Sequence, residues 1–414
     1  MIKDNFSIQG KGHIERGIKC QDASMVECIS SGHYLGIVAD GVGSAPFADV
    51  GSTMAVNGLF KYCDEHITKD SSFDDIQDVL SEGYTEALEQ IDQYIRERGA
   101  GEGDCDTTLS AVIYDGETVV FCHAGDGGIL VKYTDGRIEA ITTRQKGEDG
   151  VSVRPLRAGK DSWDSGVVHD AVSVMLVTDG MLDGVFQPVL VNLPPDREIL
   201  ATGNFKKDQV YITAAEFFMN PNAVYQNEKI KKIEVKNNED KPEHVFMDTF
   251  LQGDLTEEDE ADFKQCILAA YEKMMAKEEL EMVMESIESH YYMVWAVANI
   301  KDDKSVVLLM NEKSDVQSQP VQYYKDPNWV WRQECYDALL YGRPMPEIPP
   351  DDPLFTEDKI EINTQDDKIS EERLDQRENF EINGEELIQK EDSNNGIWRK
   401  VLPWLLKKRH GEGD

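Results

Sequence analysis

Short apolar runs broken by turn residues dominate roughly the first 185 positions of the chain. The runs at 24–28, 34–39, 108–114, 118–123, 128–133 and 172–178 read as strands, because apolar and β-branched residues cluster there between Gly, Asp and Ser. Two longer segments carry a helical period. Over about 74–98, Ile76, Val79, Leu80, Ala87, Leu88, Ile91, Tyr94 and Ile95 share one face. Over about 48–66, Val50, Met54, Ala55, Leu59 and Tyr62 do the same. These helices form a block between strands instead of alternating with them. That order predicts segregated layers, an α+β fold, in place of a parallel βαβ sheet.

Past Phe186 the pattern weakens. Pro188, Pro194, Pro195, Pro221 and the polar stretch 231–241 predict an irregular insertion over about 187–255. A helix is expected over about 257–289, then strands at 292–298 and 306–310. A first domain is therefore expected over 1–312. A helical and Pro-rich extension follows over 313–350, with Trp329, Trp331 and Tyr336 ahead of Pro344, Pro346, Pro349, Pro350 and Pro353. The segment 351–395 holds 16 acidic and 5 basic residues and few aromatics, the composition of a disordered linker. The end, 396–414, reverses sign, with Trp398, Val401, Leu402, Trp404 and Leu405 among Arg399, Lys400, Lys407, Lys408 and Arg409. Pro403 interrupts any helix there. This basic, amphipathic segment is expected to dock a partner or the acidic body in preference to a membrane.

Charge narrows the function classes. The 414 residues include 42 Lys and Arg against 80 Asp and Glu, a formal net charge of −38. Nucleic-acid binders carry basic patches, so no nucleic-acid partner is expected. Anionic membrane surfaces are disfavoured for the same reason. No run of 18 apolar residues occurs, and the first residues lack the apolar core of a signal peptide. Cys20, Cys28, Cys63, Cys105, Cys122, Cys266 and Cys335 are scattered, with no C-x-x-C spacing. Such a set suits reduced thiols in the cytoplasm and disfavours a zinc site or a disulfide framework.

Chemistry enters where Asp precedes Gly at the end of an apolar run: Ala39-Asp40-Gly41, Gly125-Asp126-Gly127 and Thr178-Asp179-Gly180. A strand end is rigid and gives a carboxylate a fixed place, while the Gly lets the backbone turn sharply. Carboxylates converging from several strands repel one another unless cations neutralise them, and hard oxygen donors select Mg²⁺ or Mn²⁺. Asp-Gly is also a common turn dipeptide, and Asp115-Gly116, Asp135-Gly136 and Asp149-Gly150 read as plain turns.

The flanking residues separate the two readings. Gly12, Gly17 and Cys20-Gln21-Asp22-Ala23 precede Asp40-Gly41-Val42-Gly43-Ser44; Thr107-Thr108-Leu109 and His123-Ala124-Gly125-Asp126 follow. Then come Val177-Thr178-Asp179-Gly180-Met181-Leu182-Asp183 and Asp302-Asp303-Lys304-Ser305-Val306. In this order the set resembles the metal-dependent Ser/Thr protein phosphatases of the 2C type, in a bacterial-like version, over about 5–310 apart from the insertion. The resemblance implies a four-layer α/β/β/α sandwich of two antiparallel sheets flanked by helices. It implies two Mn²⁺ or Mg²⁺ ions, with Asp40 bridging them, the Gly41 carbonyl completing one set of ligands, and Asp179 and Asp302 holding the other ion. Asp22 then acts through metal-bound water, and Asp126 and Asp183 lie at the edge, Asp126 beside a third ion. By the same resemblance, a hydroxide bridging the metals hydrolyses phosphoserine and phosphothreonine in proteins, the partner being a kinase or its target.

Departures from the family pattern are local. Gln21 stands where Glu is common, and Asp106 replaces the Gly before the Thr pair, which alters the turn or adds a carboxylate. The phosphate-gripping Arg is not at its usual spacing; Arg16 and Lys19 are the candidates. His13 and His123 read as structural histidines. A catalytically silent phosphoprotein-binding module and a small-molecule phosphoesterase are the competing readings.

Overall fold

The apolar runs pair into two five-stranded antiparallel sheets. A computed structural model of the chain describes residues 1–147, 152–186, 210–219, 268–269, 271–272, 274–295, 300–325, 331, 334, 338 and 341–347. In chain order its strands are β1 (Ile2–Ile8), β2 (Asp22–Cys28), β3 (Tyr34–Asp40), β4 (Leu109–Tyr114), β5 (Val119–Ala124), β6 (Gly128–Tyr133), β7 (Ile138–Ala140), β8 (Asp164–Val168), β9 (Ala171–Val177) and β10 (Lys304–Met310). One sheet runs β2-β3-β4-β5-β8 and the other β1-β10-β9-β6-β7.

Both faces of each sheet are covered. Between the sheets, Val26, Val38, Val112 and Phe121 pack against Ile129, Val174, Leu176 and Val307. After the short helix α1 (Lys11–Arg16), helices α2 (Ala48–His66) and α3 (Phe73–Arg98) cover the outside of the first sheet, setting Leu59, Ile76, Leu80 and Ile91 on Leu35, Ile37 and Ile113. Each such side chain taken fully from water contributes about 1.5–3 kcal/mol. Helix α3 starts at a capping box between Ser72 and Asp75 and stops at Gly99, whose φ of 66° is left-handed. The outside of the second sheet is covered by helices Ile212–Met219 and Lys277–Trp295, with Ala214, Phe218, Val283 and Ile287 on Leu130, Met175 and Leu308. The result is the expected four-layer α+β sandwich.

Three strands, β1, β7 and β8, were not expected. Asp164–Val168 and Ile138–Ala140 are short, and Ile2–Ile8 alternates with Lys3, Asp4, Asn5 and Ser7, which dilutes its apolar signal. Two expectations are corrected. Residues 292–295 continue a helix instead of opening a strand, since an apolar run alone does not distinguish the two. Inside the stretch expected to be irregular, Ile212–Met219 is a helix buried from Thr213 to Met219, tied to β6 by the buried Lys132–Glu216 ion pair. The expectations for 257–267, Trp329, Tyr336, the linker 351–395 and the basic end 396–414 lie outside the described residues. Trp331 is helical and buried. No helix among the described residues is long and apolar enough to cross a membrane.

The register places the strand ends that matter side by side. Asp22 at the start of β2 opposes Asp40 at the end of β3, and Gly41 bridges to Thr107 just before β4. In the facing sheet, Val177 at the end of β9 pairs with both Gly128 and Val306.

Candidate metal centre

Asp40, Asp126 and Asp179 each bring a carboxylate oxygen within 4.8 Å of the other two. Their positions follow from the backbone. The Asp40 N–H donates to Thr108 Oγ1 at 2.9 Å, and its carbonyl accepts from Thr107 Oγ1 at 2.9 Å and from the Thr108 N–H at 2.7 Å. The next residue, Gly41, donates its N–H to the Gln21 carbonyl at 3.1 Å, closing the β2–β3 end. Gly125 has a φ of 127°, which turns the chain so that Asp126 leaves β5 facing inward. Asp179 opens a short helical turn directly after β9.

Asp302 and Asp303 approach from the opposite end of the sequence. Their backbone is wedged between two glycines: a Cβ on Gly10 would stand 2.1 Å from the Asp302 carbonyl oxygen, and one on Gly180 2.1 Å from that of Asp303. Asp303 is buried and accepts from the Gly10 N–H at 2.6 Å and the Gln21 N–H at 2.5 Å, with His13 Nδ1 at 2.9 Å. Asp302 is exposed and faces the cluster. Thr178 links the two sheets, donating from Oγ1 to Asp22 Oδ2 at 2.8 Å and accepting from the Ser305 N–H at 3.0 Å. The other Asp22 oxygen, Oδ1, is buried with no hydrogen-bond partner.

The electrostatics are those of crowded acids. Burial, reinforced by Asp303, pushes the Asp22 carboxyl up to about 7 against the hydrogen bonds from Thr178 and Ser305. Burial and then Asp22, Asp179, Asp302 and Asp126 hold Asp40 well above the usual carboxylate range. Asp179 is raised in the same way, by burial and then by Asp126, Asp302 and Asp183. Burial also raises Asp302 and Asp183. The Cys20 thiol beside them is pushed up to about 12, first by burial and then by Asp22, so it is no nucleophile.

Other predicted residues lie at the edge. Asp183 pairs with Arg144 and Asp126 with Lys146. Arg16 is exposed and folds back, its Nε donating to the Gly12 carbonyl at 2.9 Å, while Lys19 is exposed and 4.0 Å from Asp49. Asp106 accepts from Arg157 Nε at 2.8 Å, and its carbonyl takes the Val42 N–H. His123 is buried between Ser110 Oγ at 2.7 Å and the Gly125 carbonyl at 3.0 Å, and burial pulls its imidazole pKa down. Asp115 and Asp135 accept backbone N–H groups within their own turns. Thr178, Asp303, Arg144 and Lys146 have places at the site that sequence reasoning did not assign. Their partners are distant in the chain, and no local pattern reports them.

Residues 9–201 match the family model described as Protein phosphatase 2C. No curated protein matches the sequence. Among solved structures, the chain is similar to a bacterial serine phosphatase at 13% identity, over 77% of this chain and 99% of that one, with a TM-score of 0.41. It is similar to the Ser/Thr phosphatase Stp1 from Staphylococcus aureus at 13% identity, over 75% and 94%, with a TM-score of 0.41. The catalytic domain of the Ser/Thr protein phosphatase PstP, in complex with two manganese ions, matches at 14% identity, over 74% and 96%, with a TM-score of 0.37. Likenesses this distant carry no weight of their own, and the fold rests on its strand order.

Proposed function

Because residues 9–201 match the family model described as Protein phosphatase 2C, we propose that the chain is a metal-dependent phosphatase that removes phosphate from phosphoserine and phosphothreonine in proteins. One observation carries this reading: carboxylate oxygens of Asp40 and Asp179 lie within 4.8 Å of each other, and Asp22 Oδ1 is buried and lacks a partner. Carboxylates raised together by mutual repulsion, with an unmet acceptor among them, fit a divalent cation with hard oxygen ligands. Asp40, the Gly41 carbonyl, Asp179 and Asp302 would hold two Mn²⁺ or Mg²⁺ ions, with Asp22 acting through water. Bound there, such ions supply Lewis-acid stabilisation of phosphoryl charge and a water acidic enough to react at neutral pH.

The chain's own contribution is placement. Thr107 and Thr108 clamp the Asp40 backbone, so its carboxylate needs little rearrangement as charge develops. Thr178 fixes one Asp22 oxygen, and the other is buried without a hydrogen-bond partner. Asp303, fastened to Gly10 and Gln21, sets the position of Asp302 at its side. Lys19 and Arg16, both exposed near the start of β2, are the proposed contacts for the substrate phosphate. The proposed partner is a phosphorylated protein, a kinase or its target.

Turnover of p-nitrophenyl phosphate and of a phosphothreonine peptide with and without Mn²⁺ tests this. Wild type is expected to require the ion. Asp40→Asn and Asp179→Asn should each lose several kcal/mol of transition-state stabilisation, roughly 10²–10³-fold in rate. No Mn²⁺-dependent turnover in wild type sinks the enzyme reading and favours a silent phosphoprotein-binding module. Turnover of nucleotides without turnover of the peptide favours a small-molecule phosphoesterase.

A further inference from the structure

Between β7 and β8 a short stretch of chain is stitched to the end of β5. Thr143 donates its N–H and its Oγ1 to Asp164 Oδ2 at 2.9 and 2.6 Å. Gln145 is buried. It donates its N–H to the Gly125 carbonyl at 2.8 Å and Nε2 to the His123 carbonyl at 3.2 Å, and accepts from the Gly125 N–H at 3.1 Å. Lys146 then makes a β-bridge to Val153. With the Gln145 side chain turned into the β5 end, its neighbours on either side are directed the other way, onto the acidic cluster. Arg144 Nη1 bonds Asp183 Oδ1, and Lys146 Nζ bonds Asp126 Oδ2.

The charges are matched one to one. The Asp126 side chain is 5% exposed and that of Lys146 25%, so the carboxylate is out of bulk water and the ammonium reaches it from the rim. A carboxylate this buried requires a counter-charge, and breaking such a pair by removing one member is strongly unfavourable. A divalent ion arriving at Asp126 has to displace an ammonium that the backbone holds in place through Gln145. We propose that Lys146 is a tethered cation that occupies, with its ammonium group, the place a third divalent ion would take at Asp126, and so limits the chain to two ions. This deepens the reading of the site given above and rests on it. Arg144 closes the same edge at Asp183, leaving Asp40, Asp179, Asp302 and Asp22 as the acids that require a cation from outside.

Counting Mn²⁺ bound per chain tests this, by calorimetric titration and by metal analysis after gel filtration of the full-length protein. The variants are Asp126→Asn, Lys146→Met and the double variant. Wild type and Asp126→Asn are expected to bind the same number of ions. Lys146→Met is expected to bind one more, and the double variant to lose that extra ion. An ion lost from wild type on Asp126→Asn overturns the inference, and this comparison holds even if Lys146→Met does not fold. A Lys146→Met protein with the wild-type count also overturns it, and if its KM for the phosphopeptide rises, Lys146 is a substrate contact instead. Turnover is read separately: an inactive wild type with the expected counts refutes the proposed reaction and leaves the inference standing.

Discussion

The carboxylates at this end of the sandwich divide into a paired group and an unpaired one. Asp303, Asp126 and Asp183 each have a partner from within the chain: His13 with two backbone N–H groups, Lys146, and Arg144. Asp22, Asp40 and Asp179 have no ion pair among the described residues, and all three are raised above the usual carboxylate range. The same residue type in one neighbourhood therefore serves opposite ends. The paired acids hold the fold together, whereas the unpaired ones are burdened by burial and mutual repulsion.

The largest expected effect lies in the metal-free protein. The folded Asp22 carboxyl titrates at about 7, above its unfolded value, so in the window between the two the folded chain holds a proton that the unfolded chain has released. Stability is full below the unfolded value and is lost as pH rises through about 7. Chemical denaturation in chelator should show a loss on the order of 3–4 kcal/mol between roughly pH 4 and pH 8. Saturating Mn²⁺ should remove the slope by binding only the folded state. A flat profile without metal would erase the distinction between the two groups.

Next in size is Asp303→Asn, which weakens two hydrogen bonds to a buried charge and should cost about 3 kcal/mol with or without metal. Asp302→Asn next to it should leave stability nearly unchanged and lower metal-dependent turnover. Equal stability losses at the two positions would refute the assignment. Asp40→Asn runs in the opposite sense, relieving repulsion. In chelator it should raise stability by about 1 kcal/mol, roughly 2–4 °C in melting temperature, while abolishing the gain from Mn²⁺. The smallest effect is expected at Asp183→Asn, because its pair with Arg144 is partly exposed, with side chains 38% and 20% accessible, and is worth at most about 1 kcal/mol.

How far the sequence could be read depends on how local each signal is. Helix α3 was legible nearly to the residue because one face is buried and the other wet, so Ile76, Leu80, Ala87 and Ile91 recur at helical spacing. Helix Ile212–Met219 is buried all round and has no polar face to mark a period, so it was hidden among prolines. At the site, Asp40, Asp126 and Asp179 could be found because each combines an apolar strand with a following glycine in adjacent positions. Asp303 could not be told from Asp302 by sequence, since what distinguishes them is contact with Gly10 and Gln21, which lie 293 and 282 positions away. Lys146 was missed for the same reason. Its meaning depends on where Gln145 fastens the chain.

In the second sheet β10 lies between β1 and β9, paired with Ile2–Ile8 on one side and with the 173–177 segment of β9 on the other. During synthesis, Asp22, Asp40, Asp126 and Asp179 all leave the ribosome well before this strand and the Asp302 that precedes it. A growing polypeptide thus carries most of the acids yet lacks the strand that joins β1 to β9. Joining the first strand to the tenth is a late and long-range event, of the kind that slows folding. The acidic cluster is thereby completed only once translation has passed Met310, and an unfinished chain carries Asp40, Asp126 and Asp179 without Asp302 beside them.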